Sequence, residues 1–253
     1  MCGPTARIFR SALRMSRVDF PALFCFGDSL TQRSFNTEDG CWGAMLASRY
    51  QRKVDVLNRG FSAYNSEQAT CLLPRLLPKG APAPYVMLIW FGANDCCVPQ
   101  APQHVPLDDY ESNLKSIMNH AATVGIPRER VVLLTPPKYD HKAWVAHKAK
   151  DGVLESQVGR GEDLCEDYAR RCAEVASRNG TLLVDVCAAM KARDDWRSLM
   201  LDGLHFNVDG AKFIASLLAS VLDPIIESLP CIFPDKEQID FSNVRSQIQQ
   251  WIP

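Results

Sequence analysis

The most constraining feature of this sequence is an alternation, from residue 22 onward, of short apolar runs with longer stretches of helical periodicity. Apolar runs of this length suit strands that are covered on both faces, and strands alternating with helices predict βαβ units. We therefore expect an α/β fold, a three-layer α/β/α sandwich with a five-stranded parallel sheet. The predicted strands are Ala22–Phe26, Val54–Asn58, Tyr85–Phe91, Val131–Thr135 and Leu182–Val186.

Helices are predicted between these strands and after the last one. Gly125 and Gly180 stand where helix C-caps are expected. Near the end of the chain, apolar residues from Phe213 to Ile225 recur at helical spacing, which indicates a helix facing the core. The helices predicted between the strands are Trp42–Gln51, Ser66–Leu77, Leu107–Val124 and Glu162–Arg178.

The length of 253 residues favours one large domain, which we place at residues 21–229. Residues 230–253 are predicted to be a tail that packs back on this domain through its apolar side chains. These are Ile239, Phe241, Val244, Ile248 and Trp251.

Residues 1–20 form a basic extension, in which no acidic residue precedes Asp19. Two interpretations fit it equally: a mitochondrial transit peptide and a disordered basic segment. We therefore expect a cytoplasmic protein, with mitochondrial targeting as the alternative. The basic residues of the extension are Arg7, Arg10, Arg14 and Arg17.

The charges of the chain nearly balance, with 28 Lys and Arg against 29 Asp and Glu. No global basic field therefore draws the protein to nucleic acid or to an anionic membrane. No apolar run approaches the roughly 18 to 20 residues of a membrane span, so no integral membrane segment is expected. A small-molecule partner is the remaining expectation, and the sequence gives no indication of oligomeric state.

Ten cysteines are scattered through the predicted strands and helices, and a chain of this size needs no disulfide framework. Reduced thiols are expected. The adjacent Cys96 and Cys97 lack the CxxC spacing and the histidines of a metal centre, so we expect neither a structural metal nor a cofactor.

Ser29 follows the first predicted strand directly, at the point where the chain leaves the sheet and enters a helix. A hydroxyl there would lie above the strand ends, near backbone N–H groups that stabilise an oxyanion. Taken alone, Asp28-Ser29 is better explained as a helix N-cap. A nucleophilic serine requires a histidine as general base.

His205 differs from the other four histidines because it lies in a polar loop, Asp202-Gly203-Leu204-His205, between the last predicted βα unit and the final helix. Three residues of loop allow the Asp202 carboxylate to reach the imidazole. His104, His120, His141 and His147 are predicted to be surface or structural histidines.

Two further strands end on residues suited to an oxyanion hole. The second strand is closed by Asn58-Arg59-Gly60 and the third by Gly92-Ala93-Asn94-Asp95. A side-chain amide donates to an oxyanion, and a glycine allows its backbone N–H to approach closely. Taken singly, each of these two sequences more often forms a turn. Together with Ser29, however, they fall at the carboxyl edge of the predicted sheet, where α/β folds bind ligands.

These residues resemble the GDSL or SGNH hydrolase family, whose four blocks centre on Ser, Gly, Asn and His. The likeness covers about residues 22 to 228 and is strongest to the isoamyl acetate-hydrolysing esterase group. The matching segments are Phe26–Gln32, Val56–Ser62, Phe91–Asp95 and Asp202–His205. The four block residues here are Ser29, Gly60, Asn94 and His205.

The resemblance implies a flavodoxin-like sandwich and a metal-free serine esterase that works through an acyl-enzyme. It implies that Ser29, His205 and Asp202 are catalytic, and that the oxyanion is held by the backbone N–H groups of Ser29 and Gly60 and by the Asn94 side chain. The expected substrate is a small or medium acyl ester. The sequence contains no Gly-x-Ser-x-Gly motif, so it does not support the nucleophile elbow of an α/β-hydrolase. It also contains no G-x-G-x-x-G motif, so it does not support a dinucleotide-binding site.

Three features leave the substrate open. The glycine often found three residues after the second block's glycine is Ala63 here, and Cys96-Cys97 follow the third block. The basic segment 136–156 is either a lid over the site or a solvated loop. A lysophospholipase or acyl-thioesterase would use the same residues, and a binding or scaffolding module of the same fold is the alternative outside enzymes.

Overall fold

Five parallel strands form one sheet in the order β2-β1-β3-β4-β5, the flavodoxin-like order. This is seen in a computed structural model that describes residues 19–161 and 163–250. The strands are β1 (Ala22–Gly27), β2 (Asp55–Gly60), β3 (Val86–Trp90), β4 (Val131–Leu134) and β5 (Leu182–Val184). The predicted α/β fold and its five strands are confirmed.

Helices cover both faces of the sheet and group by contact into two layers. In one layer α2 packs against α8, and in the other α4 packs against both α3 and α6. They are α1 (Ser29–Gln32), α2 (Trp42–Arg49), α3 (Ser66–Leu76), α4 (Leu107–Thr123), α5 (His141–Ala149), α6 (Leu164–Asn179), α7 (Val186–Lys191), α8 (Val208–Ile226) and α9 (Val244–Gln250). Short 3₁₀ helices span Arg33–Phe35, Arg128–Arg130, Glu155–Gln157, Trp196–Leu199 and Lys236–Gln238.

Two strands differ from their predicted ends by two residues: β2 ends at Gly60 and not at Asn58, and β5 ends at Val184 and not at Val186. Asp185 ends β5 because its carboxylate accepts the N–H of Ala188 and begins α7. The longer predicted helices are present within two residues of their expected bounds; Glu162, the expected start of α6, lies outside the described residues.

The three short helices α5, α7 and α9 were not predicted, because segments of six to nine residues carry too few apolar positions to show a period. Within the described part of the chain, no helix is both long and apolar enough to cross a bilayer.

The C-terminal tail contacts the domain near Arg52, whose carbonyl accepts the N–H of Ile232 and whose guanidinium donates to the carbonyl of Phe233. Phe241 is 79% exposed and Val244 is exposed as well, so the predicted packing does not hold for these two side chains. Trp251 and the basic residues of the N-terminal extension lie outside the described residues.

Candidate active site

Ser29 lies at the first position of α1, just beyond the carboxyl end of β1, which lies between β2 and β3 in the sheet. The carboxylate of Asp28 caps α1 by accepting the N–H of Leu30 at 2.9 Å, so Asp28 makes the helix cap. The indole of Trp42 donates to the carbonyl of Leu30 at 3.1 Å and holds the turn from the other side. Ser29 is thereby fixed at a nearly buried position, 9% exposed, above the sheet.

The end of β2 supports the same turn. The Asn58 amide donates to the carbonyl of Gln32 at 3.0 Å, and its oxygen accepts the N–H of Gly60 at 2.8 Å. A Cβ on Gly60 would lie only 1.9 Å from the backbone nitrogen of Gln32. Gly60 is therefore required for the close approach of β2 to α1, and its N–H is already occupied within the protein.

His205 connects Ser29 to Asp202. Its Nε2 lies 2.9 Å from the Oγ of Ser29, and its Nδ1 lies 2.7 Å from Oδ2 of Asp202. An ionised carboxylate can only accept, so Nδ1 carries the ring hydrogen of the neutral imidazole. Nε2 is then the acceptor that faces the serine hydroxyl. The predicted residues Ser29, His205 and Asp202 therefore form one hydrogen-bonded chain.

The Asp202 carboxylate is anchored by its own loop. Burial alone would raise its pKa, but hydrogen bonds from the ring and the backbone N–H of His205 and from the N–H of Leu204 lower the pKa to about 2. Gly203 adopts φ +95°, and a Cβ there would lie 2.5 Å from the carbonyl of Asp140. This glycine lets the loop pack against the start of α5.

A cavity of about 350 Å³ opens over Ser29 and His205. Asn94 lines it, and so does Ala63, which follows β2. The Asn94 amide donates from Nδ2 to the carbonyl of Tyr64 at 2.8 Å and accepts on Oδ1 from Arg160 at 2.7 Å. One Nδ2 hydrogen is left for a ligand. The described residues that line the cavity include three basic side chains and no carboxylate, and the basic ones are Arg33, Lys148 and Arg160.

A model of the GDSL-like lipase/acylhydrolase family matches residues 25–213, a range that contains every residue of the Ser29-His205-Asp202 chain. The chain belongs to this family. The expectation drawn from the four sequence blocks is confirmed.

Relatives within the GDSL-like family extend the likeness over most of the chain. The isoamyl acetate-hydrolyzing esterase 1 homolog of Rattus norvegicus is 40% identical over 227 residues, covering 87% of this chain and 89% of that protein. A GDSL esterase/lipase of Arabidopsis thaliana is 31% identical over 232 residues, covering 87% and 88%. This GDSL family member is accordingly an esterase-type hydrolase.

The fold is also shared with solved structures. The lipase/acylhydrolase from Enterococcus faecalis superposes with a TM-score of 0.63 over 85% of this chain and 100% of that chain, at 19% identity. At that identity the likeness concerns the fold alone.

The structure places the other predicted residues of this GDSL family member as follows. Gly60 is not brought to the cavity, in contrast to the donor role that the sequence suggested. His104 Nδ1 lies 2.7 Å from the carbonyl of Cys97, and His120 Nε2 lies 2.8 Å from the carbonyl of Leu77, so each has a structural partner away from Ser29. Cys96 and Cys97 are buried beside the third block.

The sequence analysis assigned no role in the site to three residues that line the cavity. Ala63 has φ +68°, a left-handed conformation that favours glycine, and its departure from the family pattern was the available signal. Trp144 belongs to α5, in the basic segment 136–156 that the sequence left open as lid or loop, and its ring centroid lies 5.9 Å from that of His205. Arg160 lies beyond that segment and carried no signal.

Two buried acidic residues, Asp28 and Asp95, lie beneath the site. Both are fully buried, and each has one carboxylate oxygen, Oδ2, without a hydrogen-bond partner among the described residues. Burial raises the pKa of Asp28 to about 7; the N–H of Leu30 and the charge of Arg160 oppose this rise, and the charge of Asp95 adds to it. Burial likewise raises the pKa of Asp95 to about 6.

Replacement of Asp28 by asparagine should change stability in a pH-dependent way. The raised pKa means that the stabilisation from protonated Asp28 is complete below the ordinary value of 3.8 and is lost as pH rises through about 7. Asparagine keeps the oxygen that caps α1 and carries no charge. The unfolding free energy of Asp28→Asn minus that of wild type should therefore be larger at pH 8 than at pH 5, by on the order of 2 kcal/mol.

Urea unfolding followed by circular dichroism at the two pH values measures this difference. Subtracting the wild-type curve at each pH removes the contributions of all other titrating groups. An equal effect of Asp28→Asn at pH 5 and pH 8 would show that Asp28 does not bind a proton in this range.

Proposed function

We propose that this protein is a serine carboxylic ester hydrolase that cleaves small or medium acyl esters through an acyl-enzyme. The observation that carries the proposal is the unbroken hydrogen-bonded chain from Ser29 through His205 to Asp202, at the mouth of a cavity. This is the arrangement that converts a weakly nucleophilic hydroxyl into an effective one.

The proposed reaction has two halves. Ser29 Oγ attacks the ester carbonyl as Nε2 of His205 takes its proton, and collapse of the tetrahedral intermediate expels the alcohol, to which His205 returns the proton. Water then attacks the acyl carbonyl as His205 removes its proton, and the second tetrahedral intermediate collapses by breaking the bond to Oγ of Ser29. His205 returns the proton to Oγ, and the acid is released. Asp202 keeps the ring in the required tautomer and stabilises the imidazolium.

The oxyanion requires donors that the protein does not already use. The backbone N–H of Ser29, at the start of α1, is one, and the second Nδ2 hydrogen of Asn94 is another. For the third we propose the backbone N–H of Ala63 in place of that of Gly60, because among the described residues the Ala63 N–H has no acceptor and the residue lines the cavity. Each such donor typically contributes about 10²–10³ in turnover.

The size of the cavity supports the preference for short acyl groups. At about 350 Å³ it lies at the lower end of the range typical of small-molecule sites. Its wall is mixed, with polar side chains such as Gln103 beside apolar ones such as Val153 and Leu204. A long acyl chain would find neither the volume nor a continuous apolar surface there.

A series of p-nitrophenyl esters with acyl chains of increasing length tests this proposal. We expect kcat/KM to be highest at about two to six carbons and to fall at least about 10-fold by twelve carbons, because the longer chains exceed the cavity. A rate that rises toward twelve to sixteen carbons would instead favour a lysophospholipase or acyl-thioesterase. The absence of hydrolysis for every ester and thioester would favour the scaffolding alternative.

A further inference from the structure

Arg160 occupies a defined place beside the third block. The segment before α6 is attached to the residues after Asn94, since the N–H of Val98 donates to the carbonyl of Gly159 at 2.9 Å and Cys97 pairs with Arg160 in an antiparallel bridge. The backbone therefore delivers the Arg160 side chain to the same corner of the cavity that Asn94 lines.

The guanidinium of Arg160 is directed at the backbone and side chain of the third block. Its Nη1 donates to the carbonyl of Ala93, and its Nη2 donates to Oδ1 of Asn94 at 2.7 Å. Within the described part of the chain, no carboxylate forms an ion pair with Arg160, and its Cζ lies 5.9 Å from the ring centroid of Trp144. The positive charge therefore has no direct ion-pair partner in the described part of the chain, and its interaction with the buried Asp28 acts over a longer distance.

These contacts determine which end of the Asn94 amide faces which partner. Arginine can only donate, and the Tyr64 carbonyl can only accept, so a flipped amide would lose both hydrogen bonds. With the observed orientation fixed, the second Nδ2 hydrogen is the group left for the cavity.

The contact also changes the strength of that donor. A charged donor on Oδ1 polarises the amide and makes its N–H groups better hydrogen-bond donors, an effect that increases in partly buried surroundings. An oxyanion bound to Nδ2 therefore gains from the positive charge on the far side of the same amide.

We infer that Arg160 is a positioning residue that acts through Asn94, orienting and polarising its amide for the oxyanion. The inference rests on the proposed ester hydrolysis. Because the charge counts most when the oxyanion has formed, Arg160 should affect kcat much more than KM. The alternative role, direct capture of an anionic substrate, is less favoured because two hydrogen bonds already direct the guanidinium at the third block, one to the carbonyl of Ala93 and one to Oδ1 of Asn94.

A double-mutant cycle on kcat tests the inference. Asn94→Ala should lower kcat about 10²–10³-fold. Arg160→Ala should lower it about 10- to 100-fold, with KM changed less than about threefold, because it removes the charge-assisted hydrogen bond that acts on the Asn94 amide. In the Asn94→Ala background, Arg160→Ala should have almost no further effect. Arg160→Lys, which keeps the charge, should recover part of the loss.

Arg130→Ala is a matched control, because Arg130 also stacks on an aromatic ring, 4.1 Å from the centroid of Tyr85, but precedes β4 at the opposite edge of the sheet. Its kcat should equal that of wild type. Thermal unfolding of each variant shows whether it is folded; if Arg160→Ala does not fold, Arg160→Lys and Arg160→Gln complete the cycle.

The outcomes separate this inference from the proposed function. Wild type that hydrolyses no ester would refute the proposed function itself. Active wild type with fully additive losses at Arg160 and Asn94 would overturn only the role of Arg160 through Asn94. A loss confined to KM, and seen for p-nitrophenyl hemisuccinate but not for the neutral butyrate ester, would assign Arg160 to substrate capture and overturn the inference as well.

Discussion

Replacing Ser29 with alanine should lower ester hydrolysis by about 10⁴- to 10⁶-fold, because loss of a catalytic nucleophile removes the covalent route entirely. A fluorophosphonate probe reports the same group independently, since it reacts with an activated serine hydroxyl. Wild type should be labelled at Ser29, and Ser29→Ala should remain unlabelled. Stability should change little, because the one hydrogen bond that the Ser29 side chain makes to the described residues is the bond to His205.

Ser34→Ala is a suitable control for this experiment. Ser34 is also buried, but its hydroxyl accepts from the Asn58 amide at 3.2 Å and does not line the cavity. The Ser34→Ala variant should still be labelled at Ser29 by the probe and should still hydrolyse esters. Labelling that persists in Ser29→Ala would rule out the assignment of Ser29 as nucleophile.

The parts of the fold that the sequence predicted well are those in which one physical requirement dominates. A strand such as Val86–Trp90, buried on both faces, must be apolar throughout, and its neighbours must alternate with amphipathic helices. The short helix α5 has no such signature, because its polar and basic surface leaves only Trp144 and its immediate neighbours to indicate burial. Its contribution to the cavity depends on tertiary contacts that no local pattern records.

The site shows the same division. Ser29 and Asn94 could be located because each follows a strand at the same edge of the sheet, and His205 because it lies in a polar loop with Asp202 before the final helix. Gly60 was located for the right property, close backbone approach, but the atom it approaches is the backbone of Gln32 and not an oxyanion. Arg160 could not be predicted, since a single arginine in a loop carries no sequence signal and only the three-dimensional path of that loop brings it to Asn94.

Replacing Asp202 with asparagine should lower kcat by about 10³- to 10⁴-fold while leaving the geometry of the loop intact. The asparagine oxygen can still accept the backbone N–H groups of Leu204 and His205. Its amide nitrogen, however, would face Nδ1 of His205 and donate to it, which moves the ring hydrogen to Nε2. Nε2 then points a hydrogen at Ser29 and cannot accept the serine proton.

The same substitution should cost stability with a defined pH dependence. Because the folded pKa of Asp202 is about 2, below the ordinary 3.8, its stabilisation is complete above pH 3.8 and is lost as pH falls through about 2. Asp202→Asn should therefore lower the unfolding free energy by about 2 kcal/mol at pH 7 and by much less near pH 2. Urea unfolding at several pH values measures this dependence.

Asp185→Asn provides the comparison for both effects. Asp185 also follows a strand end, and its Oδ1 accepts the N–H of Ala188 and the hydroxyl of Thr135 at 3.0 Å, contacts that an asparagine oxygen preserves. It has no contact with His205, so its variant should keep activity within about twofold of wild type. If Asp202→Asn were as active as Asp185→Asn, the tautomer of His205 would not depend on Asp202, and another group would have to hold the ring.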